Sequence, residues 1–133
     1  MKGKNILFLI GSYVVLFIIT THFQSCTKVD QPHVDFTINI TDPAYVGLSV
    51  KGGYIYVNGA IVAQTSTGAY ISVSQTCTHD GAKVIYEVGK NDFFCQTDYS
   101  TYTSSGACNG GPANKNLKSY TTSLNGNNLH VWG

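Results

Sequence analysis

Two short segments of the sequence each begin with a cysteine and carry a second potential metal ligand two or three residues later. The first segment reads Cys77-Thr78-His79-Asp80-Gly81, and the second reads Cys95-Gln96-Thr97-Asp98. Thiolate, imidazole and carboxylate groups all bind metal ions in proteins. The pattern therefore predicts a metal centre, and its candidate ligands are Cys77, His79, Cys95 and Asp98.

The elements around these segments have the pattern of a small β domain. Gly, Ser, Thr, Asn, Tyr and Val are frequent after the first 30 residues, and no long helix-forming run occurs there. Alternating apolar residues and turn signals predict strands over 36–40, 46–50, 54–57, 61–64, 69–73, 84–88, 92–94, 117–124 and 129–132. Asn58-Gly59 predicts a tight hairpin turn. Each cysteine segment follows a strand, so we expect the strands to hold Cys77 and Cys95 at one place.

The two segments resemble the ligand motifs of the Rieske [2Fe–2S] family, which read C-x-H-x-G and C-x-x-H. In Rieske centres two cysteines bind one iron and two histidines bind the other. Cys77, His79 and Cys95 match these motifs, and Asp98 stands at the place of the second histidine. The resemblance implies a [2Fe–2S] cofactor. It also implies an all-β fold, a Rieske-type antiparallel β-sandwich with a small cluster-binding subdomain.

The resemblance extends downstream, from about Gly53 to Val131. Ser100 and Tyr102 stand at the serine and aromatic positions of the family, whose hydroxyl groups donate hydrogen bonds to cluster and cysteine sulfur atoms. Gly111-Pro112-Ala113 matches the family's proline loop, which covers the cluster from one side. The resemblance therefore implies that Ser100 and Tyr102 also belong to the cofactor-binding site.

Four residues depart from the family pattern besides Asp98. Tyr99 replaces a glycine, and Ala82 and Thr97 replace two cysteines that form a disulfide in many members. Cys108 has no counterpart in the pattern. Asp80 is interpreted as a turn residue.

Three interpretations of the ligand set remain open. In the first, Asp98 binds iron, which lowers the reduction potential relative to a centre with two histidines. In the second, the cluster is absent, Cys77 and Cys95 form a disulfide, and the protein is a non-redox lipoprotein with a structural or binding role. In the third, a single iron or zinc ion is bound by Cys77, His79, Cys95 and either Asp98 or Cys108.

The start of the chain has the pattern of a bacterial lipoprotein signal. Lys2 and Lys4 precede an almost wholly apolar run over 6–19, and Ser25-Cys26 resembles a lipidation site. We therefore predict a signal peptide over 1–25, lipidation at Cys26, a tether over 26–34 and the Rieske-like domain over 35–133.

The composition and the expected leader limit the classes of function that this protein can have. The formal net charge is +1 and 11% of the residues are charged, which gives no basic surface for nucleic acid. The leader predicts a lipid-anchored protein of the bacterial cell envelope, on the periplasmic or cell-surface side. The resemblance implies an electron carrier or oxidoreductase subunit rather than a stand-alone enzyme. Its partner would be another redox protein, a cytochrome or an oxidoreductase.

Overall fold

The structure, a computed structural model, describes residues 31–133. The predicted signal peptide, the predicted lipidation site Cys26 and most of the predicted tether lie outside the described residues. Within residues 31–133, no helix has the length and apolar character needed to cross a membrane. This part of the chain forms an all-β domain of two antiparallel sheets, as the sequence predicts.

The strands are numbered in chain order, and one 3₁₀ helix, Pro43–Leu48, lies between the first two. The larger sheet has the strand order β1-β10-β9-β4-β3-β2, and the smaller sheet has the order β5-β6-β7-β8. The strands are β1 Asp35–Asn39, β2 Tyr54–Val57, β3 Ala60–Gln64, β4 Tyr70–Ser74, β5 Val84–Glu87, β6 Asp92–Cys95, β7 Thr101–Thr103, β8 Cys108–Gly110, β9 Ser119–Asn125 and β10 Asn128–Trp132.

The hairpin of β2 and β3 confirms the prediction made from its turn. Both turn residues have positive φ, +49° at Asn58 and +87° at Gly59, as a two-residue turn of this kind requires. Strand β3 is buried on both faces. Ile61 belongs to the hydrophobic core shared with the smaller sheet, and Val62 belongs to a second core within the larger sheet. The larger sheet therefore supplies a well-packed base for the smaller one.

The smaller sheet carries the metal-binding motifs. Its strand β5 begins just after the first cysteine segment, and β6 ends at Cys95. Phe93 on β6 and Tyr102 on β7 are fully buried and join this sheet to the larger one. The β5–β6 hairpin thus links the two cysteine segments, as expected from the sequence.

The predicted strand over 46–50 is wrong, because residues 46–48 belong to the 3₁₀ helix and residues 49 and 50 form a bend. The side chain of Asp42 accepts a hydrogen bond from the backbone N–H of Ala44 (2.8 Å), and Pro43 fixes the first helical φ angle. Leu48 is buried in the second core, whereas Val46 is 67% exposed. Strands β7 and β8 were not predicted, since each has only three residues and their pairing is irregular.

Candidate metal centre

The first cysteine loop is closed by its own backbone. The Cys77 N–H donates to the Ala82 carbonyl (2.7 Å), and the Gly81 N–H donates back to the Cys77 carbonyl (3.0 Å). Gly81 has a φ of +80°, a conformation that glycine adopts without steric cost. The Asp80 side chain accepts a hydrogen bond from the Ala82 N–H (2.9 Å), so the loop also fixes the direction of this carboxylate.

The second cysteine loop has the same hydrogen bonds at the same spacing. The Cys95 N–H donates to the Ser100 carbonyl (2.8 Å), and the Tyr99 N–H donates to the Cys95 carbonyl (2.9 Å). Tyr99 has a φ of +65°, so a tyrosine occupies the left-handed position that glycine holds in the first loop. The Asp98 side chain accepts from the Ser100 N–H (2.8 Å). The two loops are therefore local copies of each other, related by a shift of 18 residues.

Both loop cysteines are fully buried, and their thiols lie close together. The Sγ atoms of Cys77 and Cys95 lie within 4.8 Å of each other and of carboxylate oxygens of Asp80 and Asp98. Both thiols are free, so the disulfide of the second interpretation is not present in the structure. Burial raises the pKa of the Cys95 thiol to about 12, although the backbone N–H groups of Asp98 and Thr97 act in the opposite direction.

The other two predicted ligands, His79 and Asp98, contact each other. The Nδ1 atom of His79 lies 2.7 Å from Asp98 Oδ2, and the same oxygen lies 3.4 Å from Cys77 Sγ. Burial acts to raise the pKa of Asp98, but hydrogen bonds from Ser100, Cys95 and His79 outweigh it and hold this pKa well below its usual range. Asp98 is therefore a carboxylate, and the His79 side chain, 47% exposed, forms the solvent-facing edge of the centre.

The hydroxyl group of Tyr102 lies 3.2 Å from Cys77 Sγ. It also accepts from the Thr78 N–H (3.2 Å), while the Thr78 hydroxyl donates to the Lys115 carbonyl (2.8 Å). The Tyr102 hydrogen thus points toward Cys77 Sγ or the Thr78 oxygen, and a thiolate would attract it more strongly. Burial, together with Cys77, raises the pKa of Tyr102, so the phenol keeps its proton.

The proline loop packs tightly on the second cysteine loop. The Ala113 N–H donates to Ser100 Oγ (3.1 Å), and Ser100 is fully buried. A Cβ atom at Gly111 would lie 2.5 Å from Ser100 Cα, so only glycine fits there. The Ser100 side chain also hydrogen-bonds the Asp98 carboxylate, and this interaction helps to lower the pKa of Asp98.

These donors fit a [2Fe–2S] cluster. The two buried thiols would hold one iron, and the Nδ1 atom of His79 with the Asp98 carboxylate would hold the other. Ser100 and Tyr102 offer hydroxyl groups at the same place. All six predicted cofactor-binding residues, Cys77, His79, Cys95, Asp98, Ser100 and Tyr102, are thus brought together.

Sequence reasoning missed one residue of this centre, Asp80. The interpretation of Asp80 as a turn residue is incomplete, because its Oδ1 atom also lies 3.7 Å from Cys95 Sγ. The signal was present in the sequence as a repeated C-x-x-D spacing in the two loops. Cys108 lies outside the group of ligand atoms, and its Sγ donates to the Ala113 carbonyl (2.9 Å).

Comparisons with known proteins agree with this geometry. A sequence model described as "Rieske [2Fe-2S] domain" matches residues 45–121, more than half of the chain. The crystal structure of the plasma membrane Rieske protein PetC3 from the cyanobacterium Synechocystis PCC 6803 is similar, with a TM-score of 0.55 and 27% sequence identity over 66% of this chain and 93% of that one.

The ferredoxin of carbazole 1,9a-dioxygenase from Nocardioides aromaticivorans IC177 shares the fold, with a TM-score of 0.54 and 16% identity over 62% of this chain and 86% of that one. No curated protein sequence gives a significant match. The family match, the paired cysteine loops and the similarity to PetC3 show that this chain belongs to the Rieske [2Fe–2S] domain family, whose members bind a [2Fe–2S] cluster and transfer electrons.

Proposed function

We propose that the protein carries single electrons at the outer side of a bacterial membrane. In this proposal Cys77 and Cys95 bind one iron of the cluster as thiolates, and His79 and Asp98 bind the other. The observation that carries the proposal is the pair of fully buried, free thiols at the ends of two equivalent loops. Such preorganised thiols are the usual protein contribution to an iron–sulfur site.

A bound [2Fe–2S] cluster supplies one-electron redox chemistry. The residues of this chain hold it and set the free energy of its reduction. With the cluster bound, the buried cysteines would keep water from the iron that they hold, and the hydroxyl groups of Tyr102 and Ser100 would donate hydrogen bonds toward sulfur. Because reduction adds negative charge, these hydrogen bonds favour the reduced state, whereas the anionic Asp98 disfavours it relative to a neutral histidine.

The exposed edge of His79 is the proposed contact for a redox partner. Its side chain is 47% exposed, and a partner cytochrome or oxidoreductase that docks there comes close to the outer iron. We expect a small and transient interface, as is usual for redox encounters. No feature of the charge composition favours nucleic acid.

The location of the protein is proposed from the sequence of its first residues. Lipidation of Cys26 would anchor the domain in the cell envelope through the tether over 26–34, and several acyl chains on one residue hold a protein firmly. The similarity to PetC3, which is a plasma membrane Rieske protein, supports a role beside a membrane.

The test is the cofactor content of the full chain after anaerobic expression with cluster assembly intact. We expect two iron atoms and two sulfides per chain, the composition of the cluster, and a visible spectrum that bleaches on reduction. Cys95→Ser should lose this spectrum, and the matched variant Cys108→Ser should keep it, because Cys108 lies outside the ligand group. An iron-free chain whose Cys77 and Cys95 form a disulfide would refute the proposal and favour the non-redox lipoprotein.

A further inference from the structure

We propose that the two loops also form a site for a single tetrahedral divalent metal ion such as Zn²⁺. Its four ligands are Cys77, Asp80, Cys95 and Asp98, and His79 is not among them. Three of these ligands are the ones proposed for the cluster, so the site forms only in a chain that holds no cluster. It goes beyond the proposed electron-transfer function, because it needs no sulfide and uses the Asp80 carboxylate, which the cluster does not.

The distances between ligand atoms match a tetrahedral site. Zinc bonds of about 2.3 Å to sulfur and 2.1 Å to oxygen give a sulfur–oxygen separation of about 3.6 Å. The structure has 3.4 Å from Cys77 Sγ to Asp98 Oδ2 and 3.7 Å from Cys95 Sγ to Asp80 Oδ1. All four ligand atoms lie within 4.8 Å of one another, so a small contraction brings them onto one ion.

The equivalence of the two loops explains why the carboxylates are already in place. Each aspartate follows its cysteine by three residues and accepts a hydrogen bond from the N–H two residues further on, at 2.9 Å for Asp80 and 2.8 Å for Asp98. Each loop therefore supplies one thiol and one carboxylate in the same arrangement. Ligands held by their own loop backbone need little rearrangement to bind.

His79 supports this metal site without binding the ion. Its Nδ1 atom contacts Asp98 Oδ2 at 2.7 Å, and it does not belong to the group of four mutually close ligand atoms. The imidazole is thus placed to hydrogen-bond a ligating carboxylate, which orients ligands in many metal sites.

The binding reaction involves protons and no electrons. The two thiols each release a proton to solvent, and the resulting thiolates and the two carboxylates surround the divalent ion with a net charge of −2. Two sulfur and two oxygen donors form a site that Zn²⁺ and Co²⁺ occupy tetrahedrally. Asp80 is exposed, so the ion can bind this carboxylate first and reach the two buried thiols when the loops open locally.

The test uses the full chain, purified in detergent after growth under iron limitation and kept reduced, with Co²⁺ as the probe. We expect one Co²⁺ per chain, with thiolate charge-transfer absorption and the intense visible bands of a tetrahedral ion, and displacement by Zn²⁺. Asp80→Asn keeps an acceptor for the Ala82 N–H. It should weaken Co²⁺ binding by more than about 100-fold, because the loss of an outer-shell partner alone costs roughly 10–100-fold. The control Asp42→Asn, a capping residue remote from the loops, should bind as the unmodified chain does.

His79→Ala separates the two proposals. At saturating Co²⁺ this variant should retain the tetrahedral Co²⁺ spectrum, and it should lose the [2Fe–2S] cluster. Asp80→Asn should lose that Co²⁺ spectrum and keep the cluster. Co²⁺ binding by a chain that never acquires a cluster would remove the proposed electron-transfer function and leave this site standing. A chain that acquires the cluster but, once the cluster has been removed, binds no Co²⁺ would overturn this site and leave the electron-transfer function standing.

X-ray absorption of the unmodified Zn²⁺ form gives a second measurement that needs no variant. We expect two sulfur neighbours at about 2.3 Å and two oxygen neighbours at about 2.0–2.2 Å. Scattering from a bound imidazole, or equal Co²⁺ affinity of Asp80→Asn and the unmodified chain, would overturn the proposal.

Discussion

The hydroxyl group of Tyr102 offers a quantitative test of how the protein sets its reduction potential. Its oxygen lies 3.2 Å from Cys77 Sγ, and the side chain is fully buried. Tyr102→Phe removes this hydroxyl and changes little else in volume. Reduction adds negative charge at the centre, so the hydrogen bond is stronger in the reduced state, and its loss should lower the potential.

The size of the shift follows from the free energy of one hydrogen bond. A net contribution of about 0.5–1.5 kcal/mol corresponds to roughly 20–65 mV for a one-electron couple, because 1.36 kcal/mol equals about 59 mV. The loss also leaves the Thr78 N–H without its Tyr102 acceptor, which should cost about 1–3 kcal/mol of stability.

The assay is a redox titration followed by visible absorption, with cluster content measured on the same sample. Tyr120→Phe is the matched control, since its hydroxyl donates to the Pro32 carbonyl (2.6 Å) and its ring belongs to the other hydrophobic core. The control should leave the potential unchanged. An unchanged or raised potential in Tyr102→Phe, with the cluster intact, would refute the reasoning.

Two further predictions concern the second loop. Tyr99 is 71% exposed and has a φ of +65°, a conformation that glycine adopts at less cost than alanine. Tyr99→Gly should therefore have a free energy of unfolding about 1 kcal/mol higher than Tyr99→Ala, since both variants lose the contact with Phe94. Equal stabilities of the two variants in denaturant titrations would contradict backbone strain at this position. Asp98→His should raise the midpoint potential of the cluster, because a neutral ligand replaces an anionic one. Asp42→Asn is the control and should leave this potential unchanged. An unchanged potential and cluster yield in Asp98→His would count against ligation by Asp98.

Sequence reasoning was accurate where a structural signal is local. Asn58-Gly59 alone specifies the β2–β3 hairpin, because few other residues adopt positive φ at both turn positions. The failure over 46–50 has a physical cause. Its apolar residues alternate as in a strand, but the Asp42 cap and Pro43 start a 3₁₀ helix, and this local preference decides the conformation. Strands as short as β7 give too few residues for any periodic pattern.

The sequence motifs predicted the candidate ligands that the motifs contain, but they did not predict the role of Asp80. The ligand spacing indicates Cys77, His79 and Cys95 directly, and alignment with the family motif indicates Asp98. The direction of the Asp80 carboxylate depends on its hydrogen bond to the Ala82 N–H, and its nearness to Cys95 depends on how the two loops meet. Such a contact between segments far apart in sequence is settled by tertiary packing.

The complete burial of both thiols has a consequence for how the protein matures. Iron and sulfide cannot reach a side chain with no accessible surface, so the fully folded molecule is closed to cofactor delivery. Delivery must precede closure or use molecules that transiently open. The proline loop is the segment whose release would uncover the second cysteine loop, since Gly111 and Ala113 rest directly on Ser100. The larger sheet need not unfold when the proline loop is released, so the domain can keep most of its structure before the metal binds.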